Sequence, residues 1–250
     1  MNSRGLTMIF LVLLLGLCPL SASNDPFSLP VSTVILDAGH GGRDPGASAS
    51  YSFTAGSVNE SDLVLDITKR VYALLALERP DLHLVMTRSD DTYISLAQRS
   101  KVAYTTALPP QSSALFVSIH INSAQSSEAT GFEVLTKRQE KRVTLLDEHT
   151  PAKNIPLFAS FSALELNRML NQRNLVVAKT FEEVLSQRML TSRNRGIKER
   201  DLYVLNASRV PSVLLELGFL SNEDEARAII SPAWRQQVAL AIAKAIIACV

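Results

Sequence analysis

The chain has 250 residues, a length that suits one α/β domain or two small ones. Hydrophobic residues make up 46% and charged residues 20%, which excludes long disorder because ample apolar surface is available for burial. The formal net charge is +1, and no basic run is dense enough for nucleic-acid binding or tight attachment to an anionic surface.

Residues 1–23 read as a secretory signal peptide. Arg4 is the only charge before Asp25, Met8 to Leu20 is an apolar run broken only by Gly16, Cys18 and Pro19, and Ser21, Ala22 and Ser23 are small residues of the kind a signal peptidase reads. The run is short for a membrane span, and an uncleaved anchor is the alternative. Leu17 stands where a lipoprotein signal at Cys18 needs a small residue. Cleavage leaves 24 basic and 24 acidic residues, hence a neutral mature protein, and Cys249 as its single cysteine. No intramolecular disulfide is then possible, and the fold must rest on its core. Residues 24–250 form the exported part, working in the periplasm or the cell wall.

In chain order, Asn24 to Pro30 is a polar lead and Val31 to Leu36 a buried strand. Asp37 to Gly46 is a glycine-rich loop. Asn59 can cap a helix that starts at Glu60, with Leu63, Ile67, Val71 and Leu74 on one face. Leu82 to Thr87 is a second strand and Ser95 to Thr106 a second helix. Leu115 to Ile119 is a third strand of fully buried type, and Gly131 to Thr136 a fourth. Lys137 to Pro156 is charged and irregular. Leu157 to Leu190 is helical in two pieces, Leu202 to Leu205 and Val213 to Leu217 are the last two strands, and Asn222 to Ile230 and Pro232 to Ala248 are closing helices. Alternating strands and helices predict a single α/β domain.

The chain has four histidines, and two of them mark places where chemistry can occur. His40 follows the first strand and His120 ends the third, so both lie at carboxyl ends of strands, the edge where open α/β sheets bind ligands. Glu60, at a helix start, can face the same edge. Glu216 interrupts an otherwise apolar strand, and a buried carboxylate needs a partner or a task. Two imidazoles, one carboxylate and an open position make a catalytic zinc site, and a further carboxylate can take a proton from the attacking water. No spacing rule forces the four together. Hydrogen-bonded core histidines and a buried ion pair at Glu216 are the plainer alternatives.

The string VILDAGHGGRDPGA from Val34 to Ala47 resembles the opening motif of the amidase type 3 family of cell-wall amidases. So do Asn59-Glu60, Thr87-Arg88 with Asp90, Leu96 with Arg99, Leu115 to Ser123, Arg195-Gly196-Ile197-Lys198, and Pro211 to Asn222. These blocks come in the family's order and cover about residues 31–248. The resemblance implies a mixed six-stranded sheet flanked by helices on both faces. It also implies one Zn2+ per chain held by His40, Glu60 and His120, with Glu216 as the catalytic carboxylate. The implied substrate is peptidoglycan, cut at the amide between N-acetylmuramic acid and L-alanine. Departures are small: Pro109-Pro110 before the third strand, and Ile121-Asn122-Ser123 after His120.

Weaker candidates are Arg88 and Asn122. Arg88 can bind substrate or form an ion pair with Asp90 or Asp91, and Asn122 can touch substrate or support the metal. His83 and His149 read as structural and exposed, Trp234 as a packing anchor. The segment 137–156 is either a solvated loop or a regulatory insert, because some relatives resemble it in carrying an inserted helix over the zinc that an activator protein displaces. Two rival functions stand beside the amidase reading: a zinc peptidase acting on the stem peptide, and a catalytically silent wall-binding or activator protein. A monomer is expected.

Overall fold

Strand β1 (Val31–Ala38) starts the domain in a computed structural model that describes residues 25–250, so the signal-peptide reading of residues 1–23 lies outside the described residues. There follow a two-stranded ribbon, β2 (Ser48–Ala49) with β3 (Val58–Asn59), then α1 (Glu60–Glu78), β4 (His83–Met86), α2 (Leu96–Thr105), β5 (Ser113–Asn122) and β6 (Phe132–Lys137). The second half comprises α3 (Ile155–Phe158), α4 (Ala163–Arg188), β7 (Asn194–Arg200), α5 (Tyr203–Ala207), β8 (Ser212–Phe219), α6 (Glu223–Ile230) and α7 (Pro232–Cys249). Among the described residues no helix is long and apolar enough to cross a membrane.

Six strands form one mixed sheet in the order β4-β1-β5-β8-β6-β7. Strands β4, β1, β5 and β8 run parallel, β6 runs antiparallel to β8, and β7 is parallel to β6. The central strands are buried on both faces, as their continuous apolar runs require. Alternate residues serve different cores. Val34, Leu36, Val117, Ile119 and Leu215 pack against α1, α4 and α7, while Ile35, Phe116 and Leu214 pack against α2 and α5. The sheet is therefore covered on both faces, and its carboxyl edge at β1, β5 and β8 is left to the loops.

Two sequence expectations are corrected here. Leu202 to Leu205 is not a strand: Val204 and Leu205 lie in helix α5, buried against Phe116 and Leu214. A four-residue apolar run fits either element, and packing decides. The sixth strand is instead Asn194–Arg200, whose sequence NRGIKER is polar because it pairs on one side only and is an edge, where charge discourages pairing with other chains. Asn59 does stand at the N-cap of α1, but its side chain does not cap the helix; its Oδ1 accepts from Ser48 Oγ at 2.9 Å.

The segment 137–156 takes its direction from β6. Because β6 is antiparallel to β8, its carboxyl end at Lys137 sits at the amino edge of the parallel strands. From there Val143 and Leu145 bury themselves with Phe27, Phe158, Leu166 and Leu170. Asp147 pairs with Arg209 at 2.6 Å, and Asn154 Oδ1 accepts from Leu108 N at 3.0 Å. Phe27, Leu108 and Arg209 all precede the amino ends of strands β1, β5 and β8. The segment thus leaves the sheet at the edge opposite His40, Glu60 and His120 and packs there. Cys249 is half-buried, and burial pushes its thiol up to about 11, as befits a small hydrophobe.

Candidate metal centre

At the carboxyl edge the chain leaves β1 with a hydrogen bond from Gly39 N to Ile119 O, and His40 then takes a left-handed φ of 58°. That conformation is uncommon outside glycine and costs energy unless the surroundings hold it. Two arginines do the holding. Arg99 donates to Asp37 Oδ1 at 2.7 Å, to Ala38 O and to His40 O. Arg88 donates to Ala38 O, Gly39 O, Ser61 O and Asp90 O at 2.7–2.9 Å. Asp37 is completely buried and also accepts from Thr87 and Ser118. Burial alone raises its pKa, but the Arg99 charge and these donors outweigh burial and hold it below the usual carboxylate range.

Glu60, the first residue of α1, is the hub of the site. Its Oε1 is 3.0 Å from His120 Nδ1, 3.2 Å from His40 Nε2, and accepts from Ile121 N at 3.0 Å; its Oε2 accepts from Ala47 N at 2.9 Å. One ligand atom from each of His40, Glu60 and His120 lies within 4.8 Å of the others. The two imidazoles meet edge to face at 5.0 Å between centroids. Asp44 Oδ2 holds His40 Nδ1 at 2.9 Å, which turns Nε2 inward. Glycine makes room: a Cβ on Gly39 would stand 2.3 Å from the His120 ring, and one on Gly46 (φ +67°) 2.6 Å from Glu60 Oε2.

The charges at the site favour positively charged groups beside Glu60. Burial alone lowers the His40 pKa, yet hydrogen bonds and charge from Glu60 and Asp44 raise it to about 9. His120 rises for the same reason, through Glu60. Burial pushes Glu60 up, but the two imidazoles more than reverse it. Glu216 is in register with His120 across β5 and β8 and points to the same face. Burial, aided by the charges of Glu60 and Glu133, pushes it to about 7 against the pull of His120. Its Oε2 is buried with no hydrogen-bond partner among the described residues. A cavity of about 170 Å³ adjoins the site on the α2/α5 face, lined by His40, His120, Tyr93, Tyr203, Val204 and Leu214.

The structure brings together His40, Glu60, His120 and Glu216 out of loop, helix and two strands. Arg88 is 4% exposed and spends its guanidinium on carbonyls, so it pins the His40 loop to the start of α1 rather than pairing with Asp90 or Asp91. Asn122 lies two residues beyond His120 at the end of β5, half-buried, its Oδ1 accepting from Ser123 N at 2.8 Å. His83 is exposed at the start of β4, His149 is exposed on the far edge, and Trp234 packs on the main core. Sequence reasoning noted Arg99 only as part of a motif and gave no role to Asp44 or Glu133. The buried Asp37 was the available signal for Arg99, since a carboxylate inside an apolar strand demands a cation.

The donor set fits a metal: two imidazole nitrogens and one carboxylate oxygen, with room beside them, match zinc of the catalytic kind. Fold and site thus define an α/β protein with a candidate metal centre at the carboxyl edge of its sheet. Residues 34–248 match the N-acetylmuramoyl-L-alanine amidase family, and the chain belongs to it. The chain is 33% identical over 234 residues to the uncharacterized protein YqiI of Bacillus subtilis (strain 168), covering 94% of this chain and 91% of YqiI. It is 31% identical over 240 residues to the probable N-acetylmuramoyl-L-alanine amidase AmiB of Haemophilus influenzae, covering 89% of this chain and 52% of that protein. Among solved structures, the N-acetylmuramoyl-L-alanine amidase from Clostridium difficile 630 superposes with a TM-score of 0.66 at 28% identity, covering 87% of this chain and 96% of that one. The CwlD amidase of Clostridioides difficile, solved in complex with the GerS lipoprotein, gives a TM-score of 0.63 at 26% identity and covers 87% and 98%.

Proposed function

We propose that this chain hydrolyses the amide between N-acetylmuramic acid and L-alanine in peptidoglycan, with one zinc ion held by His40, Glu60 and His120. The observation that carries the reading is the buried Oε2 of Glu216, without a hydrogen-bond partner among the described residues, beside that donor set. A bound zinc ion supplies Lewis acidity toward the attacking water and the scissile carbonyl. Glu216 then takes the water's proton on its carboxylate and returns it to the departing alanine nitrogen. Its apolar setting and a pKa near neutrality suit both duties. Asp44 keeps His40 in one ring orientation, and Arg88 and Arg99 keep its backbone in place.

The products are a glycan with free muramic lactate and a peptide with a new L-alanine amino end. Mass spectrometry of digests of purified sacculi, with zinc measured in the same preparation, tests this. A stem peptide left on muramic acid would point to a peptidase instead and overturn the assignment. Residues 1–23 would direct the protein to the periplasm or wall, where its substrate lies. By analogy with the CwlD–GerS complex, we infer a protein partner for this chain too. The packing of Val143 and Leu145 at the opposite edge argues that such a partner acts elsewhere.

A further inference from the structure

One cluster beside the site takes no part in the chemistry above. Glu133 on β6 stands directly across from Glu216 on β8, on the same face of the sheet. Directly opposed residues have Cβ atoms about 4.5–5.5 Å apart. Glu133 is 5% exposed, and its Oε1 accepts from both Lys198 Nζ, at 2.6 Å, and Arg195 Nε. Both cations come from the edge strand β7 and keep 27% of their side-chain surface open to solvent.

Residues three apart on a regular strand face opposite sides of a sheet. Arg195 and Lys198 share a side because β7 carries an extra residue: Phe132 pairs with Asn194, but Val134 pairs with Ile197. The bulge turns Lys198 onto the face of Glu133 and Glu216. Gly196 makes it possible with φ +79°; a Cβ there would meet nothing within 4 Å, so glycine is present for its conformation and not for space. A buried carboxylate needs one cation. Here a bulge, a glycine and two cations are assembled around one, and both cations stay partly open to solvent on the face that carries Glu216.

We propose that Arg195 and Lys198, held by Glu133, form a seat for a substrate carboxylate close to the scissile amide. Strand β7 is two strand spacings from β8, roughly 10 Å. A peptide covers about 3.3–3.6 Å per residue, so an acid on the second residue after the cut reaches the seat through its own side chain or α-carboxylate. The guanidinium and the ammonium provide charge-assisted donors of the sort that prefer a carboxylate to a carboxamide. This rests on the amidase reading for its substrate class, but binding tests it without turnover.

Zinc-loaded Glu216→Gln protein is titrated with N-acetylmuramoyl-L-alanyl-D-glutamate and with the same compound carrying carboxamides in place of its carboxylates. The acid should bind about tenfold or more tightly than the amide, and Lys198→Met should bring the two to parity by weakening the acid alone. Should Lys198→Met fold poorly, Glu133→Gln with Lys198→Met removes the buried carboxylate along with its partner and must give the same parity. Equal affinity of both ligands for the Glu216→Gln protein, or an unchanged preference in the Lys198 variants, overturns the seat. A preserved preference with no cleavage of either compound by the protein carrying Glu216 would leave the seat standing and refute the amidase reading.

Discussion

His120 and Glu216 are register partners on the parallel strands β5 and β8, so an imidazole of the candidate metal centre and a carboxylate whose buried Oε2 has no hydrogen-bond partner among the described residues share one face at one edge. Neither depends on a loop for its place. Glu60 reaches the same point from the first turn of α1, and only His40 is carried by a loop, which two buried arginines staple. Rigid elements thus hold the donors that must not drift.

Glu216→Gln should preserve fold and zinc content while lowering turnover about 10²–10⁴-fold, the usual worth of a general base. The amide keeps the shape and removes only the group that accepts the proton. Zinc content with turnover on labelled sacculi reads both, and near-parental rates would sink the assignment.

Metal affinity should rise with pH, and the metal-free protein should show why. Without metal His40 holds its proton up to about 9, against 6.5 when unperturbed. A raised pKa stabilises the folded metal-free chain fully below about 6.5, and that contribution is lost as pH climbs through about 9. Zinc must displace the same proton, so its binding strengthens over that window. The gap in melting temperature between zinc-loaded and chelated protein should therefore widen from pH 6.5 to pH 9. A gap that narrows would show that His40 is not a ligand.

Gly39→Ala should weaken zinc binding without unfolding the chain. Its Cβ would stand 2.3 Å from the His120 ring, so the imidazole has to swing away from Glu60. Gly39 has no left-handed φ, so the substitution strains the ring and not the backbone. Competition with a zinc-binding dye should register a loss of about tenfold or more, in line with disturbed metal-supporting contacts. Unchanged affinity would mean that the ring has slack to spare.

Much of this site was legible in the chain because its residues stand at element ends. His40 follows an apolar strand, His120 lies near the end of another, Glu60 opens a helix, and Glu216 is a charge inside an apolar run. What escaped was decided by pairing. NRGIKER hides as a strand because an edge needs little hydrophobicity, and the direction of β6 leaves no mark in an apolar pattern. Arg88 bonds to backbone carbonyls, partners that no side-chain spacing can announce.

That direction of β6 carries the last prediction. A segment leaving a parallel strand at Lys137 would emerge beside the candidate metal centre, where Glu140, Asp147 or His149 could reach it. Because β6 runs the other way, the segment emerges at the far edge, where Leu145 is 5% exposed among Phe27, Phe158, Leu166 and Leu170. Its job is to seal that edge. Leu145→Ala should then cost about 2–5 kcal/mol of stability, as buried leucines do, and leave zinc content and the rate on sacculi at parental levels. Replacing 137–156 by a short flexible linker should lower the melting temperature further and bring no gain in rate. Chemical denaturation paired with sacculus assays decides it: a stable variant whose activity rises about tenfold would restore the segment as a restraint on the site, whereas lost stability at constant turnover confirms it as part of the core.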